Sequence, residues 1–193
     1  MSFPNQLSIL RILLTPLFLY LFLSENPFYK KISLLVFFIA VATDWIDGWH
    51  ARKYGLISTF GIFIDPLADK ILTSAAFAGF YILGIMPLWM VIVIVTRDIV
   101  ITLLRSYKEF RGFTMKTSLA AKTKTFIQMT YIFLMVVLIC SLSFQIDESI
   151  KYTITEFINS DINYYLMLLI TLLTFYTGIT YLYETKITEG VPG

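Results

Sequence analysis

Histidine and cysteine are almost missing from this chain of 193 residues: His50 and Cys140 are the only ones. One cysteine excludes a disulfide framework, and so thin a supply of both excludes the Cys- and His-rich sets that hold zinc. Charge is scarce too. Only 15% of residues are Asp, Glu, Lys or Arg, 58% are hydrophobic, and mean hydropathy is +0.77. A soluble domain carries about 25% charged residues, so the balance excludes a soluble globule, a disordered chain and a fibrous protein. Internal repeats and Gly/Ser-rich linkers are absent, and one domain over 1–193 is expected. With a net charge of +2, no nucleic-acid partner is expected.

What is present is apolar sequence in long runs. Six of them approach the length of about 20 residues that spans a bilayer as helix: Leu7–Ser24, Ile32–Trp49, Phe60–Leu83, Leu88–Tyr107, Ala120–Leu142 and Tyr164–Tyr183. Turn-formers and charges separate them, among them Glu25-Asn26-Pro27 and the pair Gly84 and Pro87. The runs are too continuous for the alternating strands of a membrane barrel. The fold expected is an all-α integral membrane protein with six transmembrane helices. Met1–Leu13 has no basic leader and carries Arg11 inside the apolar run, so it reads as a retained first span. Six spans put both termini on one side. The basic residues Arg52, Lys53, Lys108, Arg111, Lys116, Lys122, Lys124 and Lys186 fall on that side, against Lys30, Lys31 and Lys151 on the other. Basic loops stay inside, which makes the termini cytoplasmic. Residues 144–160 would lie outside, either as a helix on the membrane surface or as an ordinary loop.

Charges at membrane depth are costly and mark function. Here they gather at the cytoplasmic ends of spans two to five. Asp44 and Asp47 are three apart on one helix, and Asp65 and Asp69 four apart on the next, so each helix presents a carboxylate pair on one face. Gly48 and Gly61 continue those faces and permit close approach. Four facing carboxylates raise one another's proton affinity unless a cation intervenes. An all-oxygen set suits Mg²⁺, Mn²⁺ or Ca²⁺, and Mg²⁺ commonly joins carboxylates to substrate phosphates. Four carboxylates are enough for two metals, the arrangement used for in-line displacement at phosphorus. The plainer reading, carboxylates merely partnering buried cations, fits one Asp better than four in this spacing.

The run Asp44-Trp-Ile-Asp47-Gly48-Trp-His-Ala51-Arg52, then Gly61, Asp65 and Asp69 at intervals of nine, four and four, resembles the signature of the CDP-alcohol phosphatidyltransferase family. Every fixed position is matched. The resemblance implies a six-helix membrane fold working as a homodimer, with a cytoplasm-facing site. It implies attack by an acceptor hydroxyl on the β-phosphorus of a CDP-linked lipid, with CMP expelled. Asp44, Asp47 and Asp65 would hold two Mg²⁺ or Mn²⁺ ions. Asp69 would share one of them and act as general base. Gly48 and Gly61 would make room for cytidine, Arg52 would pair with the nucleotide phosphate, and Asn5 and Arg11 are candidates to reach the nucleotide.

The likeness runs on beyond the signature, over about residues 3 to 130. Pro4-Asn5-Gln6 with Ser8 and Arg11-Ile-Leu-Leu-Thr-Pro16, Phe63-Ile-Asp65-Pro66-Leu-Ala68-Asp69-Lys70, and Arg97-Asp98 with Leu104-Arg105 are similar to bacterial members that make phosphatidylglycerophosphate. Ser8 stands for their usual Thr, Asp98 for Glu, and Ala121 for Gly. The expected substrates are therefore CDP-diacylglycerol and glycerol 3-phosphate, in the bacterial plasma membrane. Arg97, Arg105, Lys122 and Lys124 are the candidates for the acceptor's phosphate, which needs two or three cations. Asp98 and Arg105 are seven apart and face one way, as a pair would. Lys108, Arg111 and Lys116 read as orienting loop charges, His50 and Cys140 as packing. Two other readings stay open: the same chemistry with phosphatidylglycerol as acceptor (a cardiolipin synthase), and a cation transporter, which leaves Gly48, Arg52 and Gly61 unexplained.

Overall fold

The computed structural model describes residues 3–54, 61–111 and 119–189, and places seven helices among them. They are α1 (Phe3–Leu23), α2 (Pro27–Tyr54), α3 (Gly61–Ile82), α4 (Leu88–Phe110), α5 (Leu119–Ser141), α6 (Glu148–Ile158) and α7 (Asp161–Glu189). No strand occurs among the described residues. The six long helices coincide with the six apolar runs. The segment 144–160, left open between helix and loop, contains the helix α6.

By length and composition, three stretches among the described residues are apolar enough to cross a membrane: Asn5–Leu23, Leu119–Ser141 and Asp161–Tyr181. This is fewer than the six expected: the side chains of α2 are described only as far as Asp44, and ionisable residues break the apolar runs that are described. Lys30, Lys31 and Asp44 interrupt α2, Asp65, Asp69 and Lys70 interrupt α3, and Arg97, Asp98 and Arg105 interrupt α4.

Local rules set the ends of these helices. Asn26 Oδ1 accepts the Phe28 amide at 2.9 Å just ahead of Pro27, a cap followed by a proline at the first helical position. At the end of α3 the chain reverses through Gly84, whose φ of +75° suits glycine. There Ile85 N–H donates to the Phe80 carbonyl and Gly84 N–H to that of Tyr81, both at 2.9 Å, satisfying carbonyls the helix leaves open. Ser160 Oγ accepts the Asn163 amide at 3.2 Å and starts α7. Asn163 is fully buried and ties three helices together. It donates to the Ile158 carbonyl at the end of α6 (2.7 Å) and accepts from the Tyr131 hydroxyl of α5 (2.9 Å).

The six long helices close a ring in the order α1, α2, α5, α7, α4, α3, each packed on its neighbours, while α3 and α5 also touch across it and α6 rests on α7. The core is aromatic where α1, α3 and α5 meet. Phe80 is wholly buried, with edge-on partners in Phe22 (6.2 Å between centroids), Phe77 (6.0 Å) and Tyr131 (6.3 Å). Among apolar helices in an apolar solvent, packing rather than water exclusion holds the contact. Phe80→Ala leaves a void at this junction and is expected to cost about 3 kcal/mol, measured by unfolding in detergent; a loss below about 0.5 kcal/mol would show that the ring has no such common core.

Candidate active site

The first helix supplies a polar stripe. Asn5, Ser8, Arg11 and Thr15 follow one another at intervals of three or four and are all buried, Ser8 and Arg11 completely. The stripe faces α2 and α3 and meets their carboxylates. Arg11 Nη1 donates to Asp44 Oδ1 at 2.7 Å, and Ser8 Oγ to Asp65 Oδ1 at 2.5 Å. Arg11 is inside while the Asp44 side chain stays 49% exposed, so the carboxylate is gripped from behind and open in front. Gly61 is buried at the start of α3. Asp47, Gly48 and Arg52 fall on side chains outside the described residues.

Asp69 lies one turn beyond Asp65 and is within electrostatic reach of Asp44. Its Oδ2 accepts from Lys70 Nζ at 3.0 Å. It also lines a cavity of about 690 Å³, together with Lys70, Arg97, Arg105 and Lys122. The cavity thus joins the candidate base to three of the four candidate phosphate ligands. The fourth, Lys124, is 3% exposed and sits behind the wall, its Nζ 2.6 Å from Asp98 Oδ1. Lys122 and Lys124 are two apart and therefore point to different sides of α5. Asp98 meets not Arg105 but Arg97 Nη1 (3.0 Å), Lys124 and Gln128 Nε2 (3.0 Å), because α5 comes closer to it than the next turns of its own helix.

Sequence reasoning missed the share of α7. Thr177 and Tyr181 line the cavity, and Thr177 Oγ1 accepts from Arg97 Nη2 at 2.9 Å. Gly178 lies under the same arginine: a Cβ there would stand 2.8 Å from Arg97 Cγ. A threonine and a glycine in an apolar run carry no mark of this. Lys70 was visible beside Asp69 but had been given no role.

The donor chemistry suits a hard divalent cation. It is all carboxylate oxygen, and among the described residues Asp44, Asp65 and Asp69 each commit one oxygen to the protein and leave the other uncommitted. No three acidic, His or Cys side chains among the described residues form a metal-holding group by themselves.

A ring of long apolar helices thus places a carboxylate, Asp69, beside the cations Lys70, Arg97, Arg105 and Lys122 on one cavity. Comparison with known proteins makes this specific. A sequence profile of the CDP-alcohol phosphatidyltransferase family matches residues 1–180. The chain belongs to that family, and is a membrane protein and a phosphatidyltransferase. It is 36% identical over 139 residues to the CDP-diacylglycerol–glycerol-3-phosphate 3-phosphatidyltransferase of Bacillus subtilis, a match covering 66% of this chain and 72% of that one. It is 36% identical over 130 residues to a probable phosphatidylglycerophosphate synthase of Mycobacterium tuberculosis, covering 66% of this chain and 62% of the relative. A Haemophilus influenzae protein of the same name as the Bacillus one is 36% identical over 136 residues, covering 66% and 71%.

Gly178→Ala sets two effects against each other. Alanine favours the helix by about 1 kcal/mol, whereas overpacking costs about 1–3 kcal/mol. A Cβ 2.8 Å from the base of a held arginine makes overpacking the larger, so a lower melting temperature in detergent is expected. A rise would mean that Arg97 yields freely.

Proposed function

We propose that the chain transfers the phosphatidyl group of CDP-diacylglycerol to glycerol 3-phosphate, giving phosphatidylglycerophosphate and CMP. The observation that carries this reading is the cavity shared by Asp69 and the cations Arg97, Arg105 and Lys122. A carboxylate that takes a proton and cations that hold a phosphate are what a phosphorylated alcohol requires of its enzyme. The names of the Bacillus, Mycobacterium and Haemophilus relatives agree with it.

Asp69 takes the proton from the acceptor hydroxyl as its oxygen attacks the β-phosphorus. Arg97 and Arg105 offer forked donors to the acceptor's phosphate, and Lys122 a compact charge. Lys124 supports them from behind through Asp98. Asn5, Arg11, Gly48, Arg52 and Gly61 serve the nucleotide half, with Arg11 and Ser8 also fixing the outward faces of Asp44 and Asp65. Asp44, Asp47, Asp65 and Asp69 would hold two Mg²⁺ or Mn²⁺ ions, whose charge would stabilise the pyrophosphate and the departing CMP. The long helices form six spans, with both termini and the site on the cytoplasmic face, and two copies pair as a homodimer.

CMP release by the purified protein tests the reaction. CDP-diacylglycerol and Mg²⁺ are supplied with glycerol 3-phosphate, phosphatidylglycerol, inositol phosphate or serine in parallel. Release with glycerol 3-phosphate alone is expected, and Asp69→Asn should lower turnover by at least about a hundredfold while CDP-lipid still binds. Release only with another acceptor would overturn the substrate assignment, and an active Asp69→Asn variant would remove Asp69 from the role of base.

A further inference from the structure

Arg97 is a cavity cation whose position the fold controls closely. Its guanidinium is held at two points, by Asp98 Oδ1 at 3.0 Å and by Thr177 Oγ1 at 2.9 Å, and its aliphatic stem lies against Gly178. Neighbours in a helix do not face each other, so the contact with Asp98 requires the arginine to fold back along α4. Thr177 is itself fixed, since its hydroxyl donates to the Leu173 carbonyl at 2.8 Å. The held side chain is 15% exposed, and that fraction opens on the cavity.

Asp98 is the hub of this arrangement. It is 2% exposed, and its two oxygens receive three donors: Lys124 and Arg97 on Oδ1, Gln128 on Oδ2. Lys124 and Gln128 are four apart on α5 and present one face, both buried. A carboxylate so deep is tolerated only with partners of opposite charge. Here it has two, and one of them reaches the cavity wall.

We infer that Asp98 is a positioning residue for the acceptor: braced by Lys124 and Gln128 from α5, and aided by Thr177 of α7, it aims Arg97 at the phosphate in the cavity. The inference rests on the proposed reaction and adds to it a residue that touches no substrate. Asp98 locks one rotamer of Arg97, so the acceptor meets a guanidinium that has already lost its freedom. A second consequence is charge balance. One buried carboxylate between Lys124 and Arg97 lets two cations stand close together without expelling each other.

The test separates acceptor from donor kinetics. CMP release is measured against glycerol 3-phosphate and, separately, against CDP-diacylglycerol for wild type, Asp98→Asn, Asp98→Glu and Thr177→Val, with thermal unfolding of each. Asp98→Asn is expected to raise the KM for glycerol 3-phosphate about tenfold or more, the scale of a lost charge-assisted hydrogen bond. The KM for CDP-diacylglycerol should stay within about twofold, and Asp98→Glu, which keeps the carboxylate, should recover most of the loss. A role confined to stability would change both constants alike and leave the conservative variant no better; that result, or an unchanged acceptor KM, overturns the inference. Should Asp98→Asn fail to fold, Thr177→Val decides. It loosens Arg97 without stranding a charge and should raise the acceptor KM about fivefold, and no change there also overturns the inference. Absence of wild-type turnover with glycerol 3-phosphate is a separate result, seen before any variant is made, and it would sink the proposed reaction and this inference together.

Discussion

An ion pair among apolar helices sets the terms for the rest of this molecule. Asp98 is buried on α4, and a lone carboxylate there would be expelled or neutralised. Lys124 at 2.6 Å and Arg97 at 3.0 Å prevent that, and in doing so they dictate how α4, α5 and α7 approach one another. Helix packing through Phe80 and its neighbours makes the ring cohere, but it does not specify rotation about each helix axis as a charge does. One face of α5 must meet Asp98, and Thr177 with Gly178 must meet Arg97. The cavity on the other side of that wall is the by-product, and it inherits the cations that the wall positions.

A second ionic contact does the same for the other half of the site. Arg11 is wholly buried on α1 and reaches Asp44 on α2, while Ser8, one turn earlier, reaches Asp65 on α3. The first helix is thus a polar brace behind two carboxylates that belong to the family's signature. The two halves meet at α3. Asp65 belongs to the braced carboxylates, Asp69 to the cavity, and a single turn of α3 separates them.

Much of this was legible in the sequence because charge is rare in it. Six apolar runs mark six helices, and each acidic or basic residue inside a run stands out against its surroundings. Spacing of three or four was enough to place Asp65 and Asp69 on one face of α3. Partners across helices were not legible. The seven-residue interval between Asp98 and Arg105 pointed to a pair within α4, yet a neighbouring helix offered nearer donors. Lys122 and Lys124 look alike in sequence, and only the rotation of α5 sends one to the cavity and the other to the wall. Thr177 and Gly178 gave no signal, since both are ordinary in an apolar helix and gain their role only from the arginine that lies on them.

The central claim is that the cavity selects its acceptor by negative charge. It is tested most directly by comparing kcat/KM for glycerol 3-phosphate with that for glycerol, under the same CDP-diacylglycerol and Mg²⁺. The two differ only in the phosphate that Arg97, Arg105 and Lys122 would hold. A site built around that group should reject the alcohol lacking it by at least about a thousandfold. A ratio near one would mean that these cations do not read the acceptor, and that the cavity serves some other part of the reaction.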